Sequence, residues 1–130
     1  MDLRAVRVLI VEDEAFSQQL LSRVLTKLGL TKLATVSDGK EALSALGKNP
    51  HDFDLIISDI EMPNMDGYEF VRKLRYGSVP ECKDIPVLIL TGKDTDKNVQ
   101  RARFHKINGF IVKPPQPEDL RRKIEKALGD

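Results

Sequence analysis

Four short apolar runs in this 130-residue chain each lead into a residue able to do chemistry. Val6–Val11 runs into Glu12, Asp13 and Glu14. Phe53–Ser58 runs into Asp59, Pro86–Leu90 into Thr91, and Gly109–Val112 into Lys113. Brought to one edge, Glu12, Asp13 and Asp59 would place three carboxylates together. Like charges at that range raise one another's pKa unless a cation offsets them. A single Lys113 does not offset three. A hard divalent ion is the natural partner, and Mg²⁺ prefers one or two carboxylates, several waters and a phosphate oxygen. A metal, a lysine and a hydroxyl such as that of Thr91 are groups that stabilise a transferring phosphoryl group. An aspartate among them, Asp59, can act as nucleophile. Each residue also has a plainer reading. Asp13 can cap a helix, and Asp59 can be a turn residue before Met62-Pro63. Thr91 can be an ordinary strand-end hydroxyl, and Lys113 a solvated loop lysine beside Pro114.

The elements that must position these residues follow from periodicity. VRVLIV at 6–11 reads as a strand buried on both faces. Residues 14–28 carry Leu20, Leu21, Val24, Leu25 and Leu28 as an amphipathic stripe, which Gly29 stops. Leu30–Val36 is a weaker strand. Asp38 with Glu41 three residues later predicts a capped helix start, and Asn49-Pro50 ends that helix. Phe53–Ser58 is a third strand. The turn MPNMDG follows, then a short helix carrying Tyr68, Phe70, Val71 and Leu74. Gly67 is read as a turn residue of positive φ with no chemistry. Pro86–Leu90 is a fourth strand, residues 94–106 a polar, basic helix, and Gly109–Val112 a fifth strand. Pro117–Leu128 is a final helix, with proline in its first turn. Strict β-α alternation predicts a parallel sheet with helices on both faces. Ligands in such sheets bind outside the carboxyl ends of the strands, where the residues named above stand.

Composition removes other classes. The chain is 41% hydrophobic and 32% charged, which fits a globular protein with a well-solvated surface. A net charge of +1 argues against direct nucleic-acid binding. No apolar run approaches the roughly 18 residues a membrane span needs. The opening residues lack the order of a signal peptide, because acids follow the apolar run at once. The single Cys82 excludes an internal disulfide and a Cys-based zinc site, and two isolated histidines exclude a His-rich metal site. The expected compartment is the cytoplasm. Charge is uneven: residues 1–92 hold 11 Lys/Arg and 14 Asp/Glu, whereas residues 93–130 hold 10 and 6. That tail is either a solvated helical face or a partner surface.

The pieces VLIVEDE (8–14), DLIISDIEMPNMDGYEF (54–70), VLILTGK (87–93) and GFIVKP (109–114), in this order and spacing, make the chain resemble a response-regulator receiver domain, the CheY-like phosphoacceptor of two-component signalling. The resemblance spans residues 1–130 as one receiver domain. It implies an α/β, flavodoxin-like, doubly wound five-stranded parallel sheet of order 2-1-3-4-5 with five helices. It implies that Asp59 is the phosphorylated nucleophile, that Asp13 binds Mg²⁺ directly and Glu12 partly through water, and that the Glu61 backbone carbonyl is a further ligand, with Mn²⁺ a possible substitute. Thr91 would donate to the phosphoryl group and Lys113 would pair with a phosphoryl oxygen. Thr91 and Phe110 would form the switch, although a lone aromatic beside a strand is more often core. The Lys113-Pro114 bond is often cis in relatives, while base rates alone favour trans. The implied partners are a histidine kinase or phosphotransfer protein as donor, and a downstream protein at the face of the fourth helix, fifth strand and fifth helix. The chain would be a monomer or weak dimer, and a phosphoacceptor rather than an enzyme.

The chain also departs from the pattern. Gly92 replaces the usual alanine. Lys106-Ile107 stands where relatives have Gly-Ala, and a non-glycine is less comfortable there at positive φ. Pro115 follows Pro114. Lys97, Arg101, Arg103, Lys106, Arg121, Arg122, Lys123 and Lys126 fall on the expected output face, suggesting an acidic partner or dimer contacts. Glu61 and Lys93 should flank the phosphorylation site. Because the chain stops after the last helix, a single-domain receiver is expected. Alternatives are a receiver cut from a larger regulator or hybrid kinase, and an interaction module working without phosphorylation. A flavin carrier needs an anion-friendly Ser/Thr loop after the first strand, where this chain has acids. A Mg²⁺-dependent phosphatase needs a general acid and a substrate cap that the sequence lacks.

Overall fold

A computed structural model describes residues 2–92 and 106–129. The apolar runs form five parallel strands: β1 (Arg7–Val11), β2 (Lys32–Val36), β3 (Leu55–Asp59), β4 (Val87–Thr91) and β5 (Gly109–Val112). Their order across the sheet is β2-β1-β3-β4-β5. Four α-helices lie among the described residues: α1 (Ala15–Lys27), α2 (Gly39–Lys48), α3 (Gly67–Arg75) and a C-terminal helix (Pro117–Ala127). The helix expected at 94–106 lies outside the described residues, apart from Lys106.

Both sheet faces are buried. On one, Val8, Ile10, Leu55, Ile57, Leu88, Leu90 and Ile111 pack against Leu21 and Leu25 of α1 and Leu120 and Ile124 of the C-terminal helix. On the other, Leu9, Val11, Ile56, Val87 and Ile89 meet Ala42 and Leu46 of α2 and Phe70, Val71 and Leu74 of α3. Alternate residues of one strand therefore serve opposite cores, as a period of two requires. Edge strand β2 is the exception, with Lys32, Ala34 and Thr35 exposed.

Local signals set the helix ends. The Asp38 carboxylate accepts the Glu41 N–H at 2.8 Å, and Glu41 reaches back to the Ser37 N–H at 2.7 Å. Gly29 closes α1 at φ 103°. The Leu30 N–H bonds to the Leu25 carbonyl and the Gly29 N–H to the Thr26 carbonyl, both at 3.0 Å, a Schellman ending. The N-cap of α1 is Glu14, whose carboxylate accepts from the Phe16 and Ser17 N–H groups. The capping reading of Asp13 is thereby replaced.

The edge where the strands begin is held by arginines. Arg7 forms a forked pair with Asp54 at 3.2 Å, and its backbone N–H donates to the same carboxylate at 2.9 Å. Arg7 holds the Asp54 carboxyl below its ordinary pKa. Arg75, at the end of α3, donates to the carbonyls of Lys83 (3.0 Å), Ile85 (2.7 Å) and Lys106 (3.0 and 3.3 Å) and to Asn108 Oδ1 (3.3 Å). Asn108 Oδ1 also accepts the Val87 N–H at 2.9 Å. Lys106 adopts φ 57° although it is not glycine, and these Arg75 bonds hold its carbonyl. No helix among the described residues is long and apolar enough to cross a membrane.

Candidate functional site

The opposite edge collects the predicted residues. Glu12 follows β1 and Asp59 ends β3, and parallel pairing of Val11 with Ser58 brings them side by side. Asp59 pairs with Leu90, which puts Thr91 one residue further on the neighbouring strand. The Lys113 N–H donates to the Thr91 carbonyl at 2.8 Å, so β5 delivers the lysine to the same edge. Carboxylate oxygens of Glu12, Asp13 and Asp59 lie within 4.8 Å of one another. Lys113 Nζ sits 3.3 Å from Glu12 Oε2 and 3.2 Å from Asp59 Oδ2. The Lys113-Pro114 peptide is cis.

Burial differs sharply within this group. Glu12 is 1% exposed, Asp59 8% and Thr91 5%, whereas Asp13 is open to solvent. Glu12 is tied on every side. Its N–H donates to the Val36 carbonyl at 3.0 Å, and its Oε1 accepts the Glu14 N–H at 3.2 Å. Burial and then the neighbouring Asp59 charge push the Glu12 carboxyl above its ordinary pKa, against the opposing pull of the Glu14 N–H and Lys113. Burial lowers the Lys113 ammonium, but Asp59 and Glu12 more than offset it, and its pKa ends raised. Among the described residues, three carboxylates against one ammonium leave an acidic surplus in an oxygen-only donor set, which fits a hard divalent cation.

The loop from β3 to α3 forms the opposite wall of an open cleft, with Glu61, Met62 and Pro63 along it. The Ile60 N–H donates to Asp59 Oδ1 at 2.9 Å. Gly67 seats the loop, and not through positive φ as the sequence suggested. Its N–H donates to the Ile60 carbonyl at 2.7 Å. A Cβ built on it would lie 2.4 Å from the Asp59 carbonyl oxygen. The glycine is there for close approach. Positive φ falls instead on Asn64, at 69°, whose amide donates to Asp38 Oδ2 at 3.0 Å.

The structure thus brings Glu12, Asp13, Asp59 and Lys113 into one group, with Thr91 at the adjoining strand end and Glu61 on the cleft wall. Phe110 stands apart, half-buried on the α2–α3 side of the sheet. Its carbonyl accepts from Lys123 Nζ. Lys93, Lys97, Arg101 and Arg103 lie outside the described residues. On the C-terminal helix, Arg121 pairs with Glu118 and Arg122 with Asp119, each at 2.7 Å, and Lys123 with Asp119 at 3.5 Å. That helix is less free a basic surface than its sequence suggests. Cys82 is buried, with Sγ 3.2 Å from the Pro50 carbonyl. The sequence reading missed Gln18, whose side-chain amide donates to the Glu12 carbonyl. Its place on the inner side of the first turn of α1 was the available signal.

Comparison with known proteins agrees with this geometry. The family model described as response regulator receiver domain matches residues 8–125. The chain is 36% identical over 124 residues to a probable chemotaxis protein CheY of Rhizobium etli, covering 95% of this chain and 93% of that one. Among solved structures, Vibrio cholerae chemotaxis protein CheY4 superposes with a TM-score of 0.82 at 36% identity, covering 95% of this chain and 98% of that one. The signal receiver domain of a histidine kinase from Syntrophus aciditrophicus superposes with a TM-score of 0.80 at 34% identity, covering 95% and 90%.

Proposed function

The chain belongs to the response regulator receiver domain family of two-component signalling, and we propose that it takes a phosphoryl group from a phosphohistidine onto Asp59 in a Mg²⁺-dependent step. One observation carries this reading: among the described residues, three carboxylates share the strand-end edge with a lysine that already contacts two of them. Asp13, Asp59 and the Glu61 carbonyl would hold the cation, and Glu12 would act partly through water. The bound ion supplies positive charge against phosphoryl oxygens.

In the proposed step an Asp59 carboxylate oxygen attacks phosphorus as the P–N bond to the donor imidazole breaks. The electron pair stays on that nitrogen, and the product on Asp59 is an acyl phosphate. Lys113 trades its contact with Asp59 Oδ2 for a phosphoryl oxygen, and the Thr91 hydroxyl donates to another. Water later cleaves the acyl phosphate at the same site. The chain turns over no outside substrate, so it acts as a signalling phosphoacceptor rather than an enzyme.

Movement of Thr91 toward the phosphoryl group would leave room for Phe110 to rotate inward. The two packings then present different faces around β5 and the C-terminal helix, a population shift set by differential contacts. Phe110 has no hydroxyl, so the switch reads packing alone. A histidine kinase or phosphotransfer protein is the proposed donor, and a downstream protein the reader.

The test is intact mass after incubation with Mg²⁺ and acetyl phosphate, beside Asp59→Asn. The expected result is one phosphoryl group, dependent on Mg²⁺, lost in alkali and absent in the variant. Absence of that adduct, together with no response to Mg²⁺ and beryllofluoride, would support a receiver-like interaction module that works without phosphorylation.

A further inference from the structure

We propose that Gln18 is a positioning residue for the Mg²⁺ site, holding the peptide that joins Glu12 to Asp13 and so setting the affinity for the cation. The inference rests on the receiver reading above and extends it to a residue outside the acidic group. Glu12 and Asp13 are adjacent but unequal. Glu12 is buried and tied through its N–H, its carboxylate and Lys113. The Asp13 carboxylate is exposed and takes no hydrogen bond from any described residue.

An unsupported carboxylate is a good ligand only if its backbone is held, because otherwise binding must also order it. The Glu12–Asp13 peptide unit carries the Glu12 carbonyl and the Asp13 N–H. Among the described residues its anchor is the Gln18 side-chain amide, which donates to that carbonyl. Gln18 is itself well placed to act as a fixed arm. It stands in the first turn of α1, with its backbone N–H on the Glu14 carbonyl at 3.0 Å, and it is half-buried. Side chains on a helix point back over the preceding turn, and here that direction leads onto the loop holding both acids. Rotation of the peptide would swing the Asp13 carboxylate away from Asp59 while leaving Glu12 pinned. The carboxamide therefore acts on the metal through geometry, without touching it.

The test measures Mg²⁺ affinity of the full chain by calorimetry, with Mg²⁺ alone as probe. Gln18→Met keeps length and apolar packing and removes the donor. Gln19→Met, on the exposed neighbour, is the control. The expected result for Gln18→Met is a threefold to tenfold weaker Kd, about what one hydrogen bond is worth, with Gln19→Met unchanged. The Mg²⁺ concentration for half-maximal phosphorylation by acetyl phosphate should rise by the same factor, with the maximal rate retained. A general loss of structure would instead lower the maximal rate as well as the affinity. The backbone order parameter of Asp13 in the metal-free chain should also fall. A Kd in Gln18→Met equal to wild type, or an equal loss in Gln19→Met, overturns the proposal. A wild-type chain that binds no Mg²⁺ at all overturns the metal reading itself, and is told apart because it needs no variant.

Discussion

Replacing Gly67 by alanine should damage stability and chemistry together, and the size of each effect can be worked from the loop it seats. The added Cβ would stand 2.4 Å from the Asp59 carbonyl oxygen, 3.0 Å from Ile60 Cα and 3.2 Å from the Asp59 carbonyl carbon. Ordinary contact begins near 3.4 Å, so α3 and the Asp59–Ile60 peptide must part by about 1 Å. All three obstacles are backbone, and none can rotate away. Such overpacking costs about 1–3 kcal/mol. Alanine regains about 0.4–1 kcal/mol by restricting the unfolded chain, because Gly67 does not use a glycine-only φ. The net expectation is a loss of about 1–2 kcal/mol in urea unfolding. The chemical effect should be larger, since a displacement of about 1 Å at a reacting group costs on the order of 100-fold in rate. The acetyl phosphate reaction, followed by intact mass, reads that rate directly. Gly92→Ala is the matched control: no described atom lies within 4 Å of a Cβ there, so its stability and rate should stay near wild type. A Gly67→Ala chain that unfolds and reacts like wild type would refute the close-approach reasoning.

Glu12→Gln should raise the Tm of the metal-free chain at neutral pH while weakening Mg²⁺ binding roughly 10- to 100-fold. The sign follows from the raised Glu12 pKa, which means folding favours its protonated form. That contribution is full below the ordinary carboxylate range and is lost as pH rises through the folded-state value. The gain in Tm should therefore vanish near pH 4, and a gain that persists there would count against a buried, charged Glu12. Arg75→Ala should cost roughly 1–3 kcal/mol, because it frees carbonyls of which only Ile85's is part-buried; urea melts check this, and a change below about 0.5 kcal/mol would show that water replaces the guanidinium without loss. Glu61→Ala should change the lifetime of the acyl phosphate without abolishing its formation, read as the decay of phosphorylated mass after the donor is removed; an unchanged lifetime would place Glu61 outside the reacting space.

Much of this was legible in the sequence, for physical reasons. Each strand except edge strand β2 is a short apolar run serving two cores, so its period and its end are both visible. Once alternation implied a parallel sheet, the residues after each run had to share an edge, and Glu12, Asp13, Asp59 and Lys113 do. What stayed hidden was contact between side chains and distant backbone. Gly67 looked like a turn glycine because sequence records that a glycine is present and not which neighbour requires it. The left-handed residue in that loop proved to be Asn64. Asp13 could be read as a helix cap because aspartate commonly does that work, yet it is Glu14 that caps α1. Nothing in the sequence marked Arg75, because no periodicity distinguishes a guanidinium spent on carbonyls from one facing water.

The two ends of the sheet are therefore built on opposite plans. Where the strands start, Arg7 with Asp54 fastens the lead-in of β1 to that of β3, and Arg75 and Asn108 fasten the lead-in of β4 to that of β5. Where they finish, Asp59 and Thr91 stand at strand tips and Glu12, Asp13 and Lys113 on the loops beyond, with Lys113 bridging Glu12 and Asp59. A sheet riveted at one rim cannot answer events at the other by sliding its strands. Any displacement set off near Asp59 must be spent close to where it arises, in strand tips, loops and side-chain rotamers.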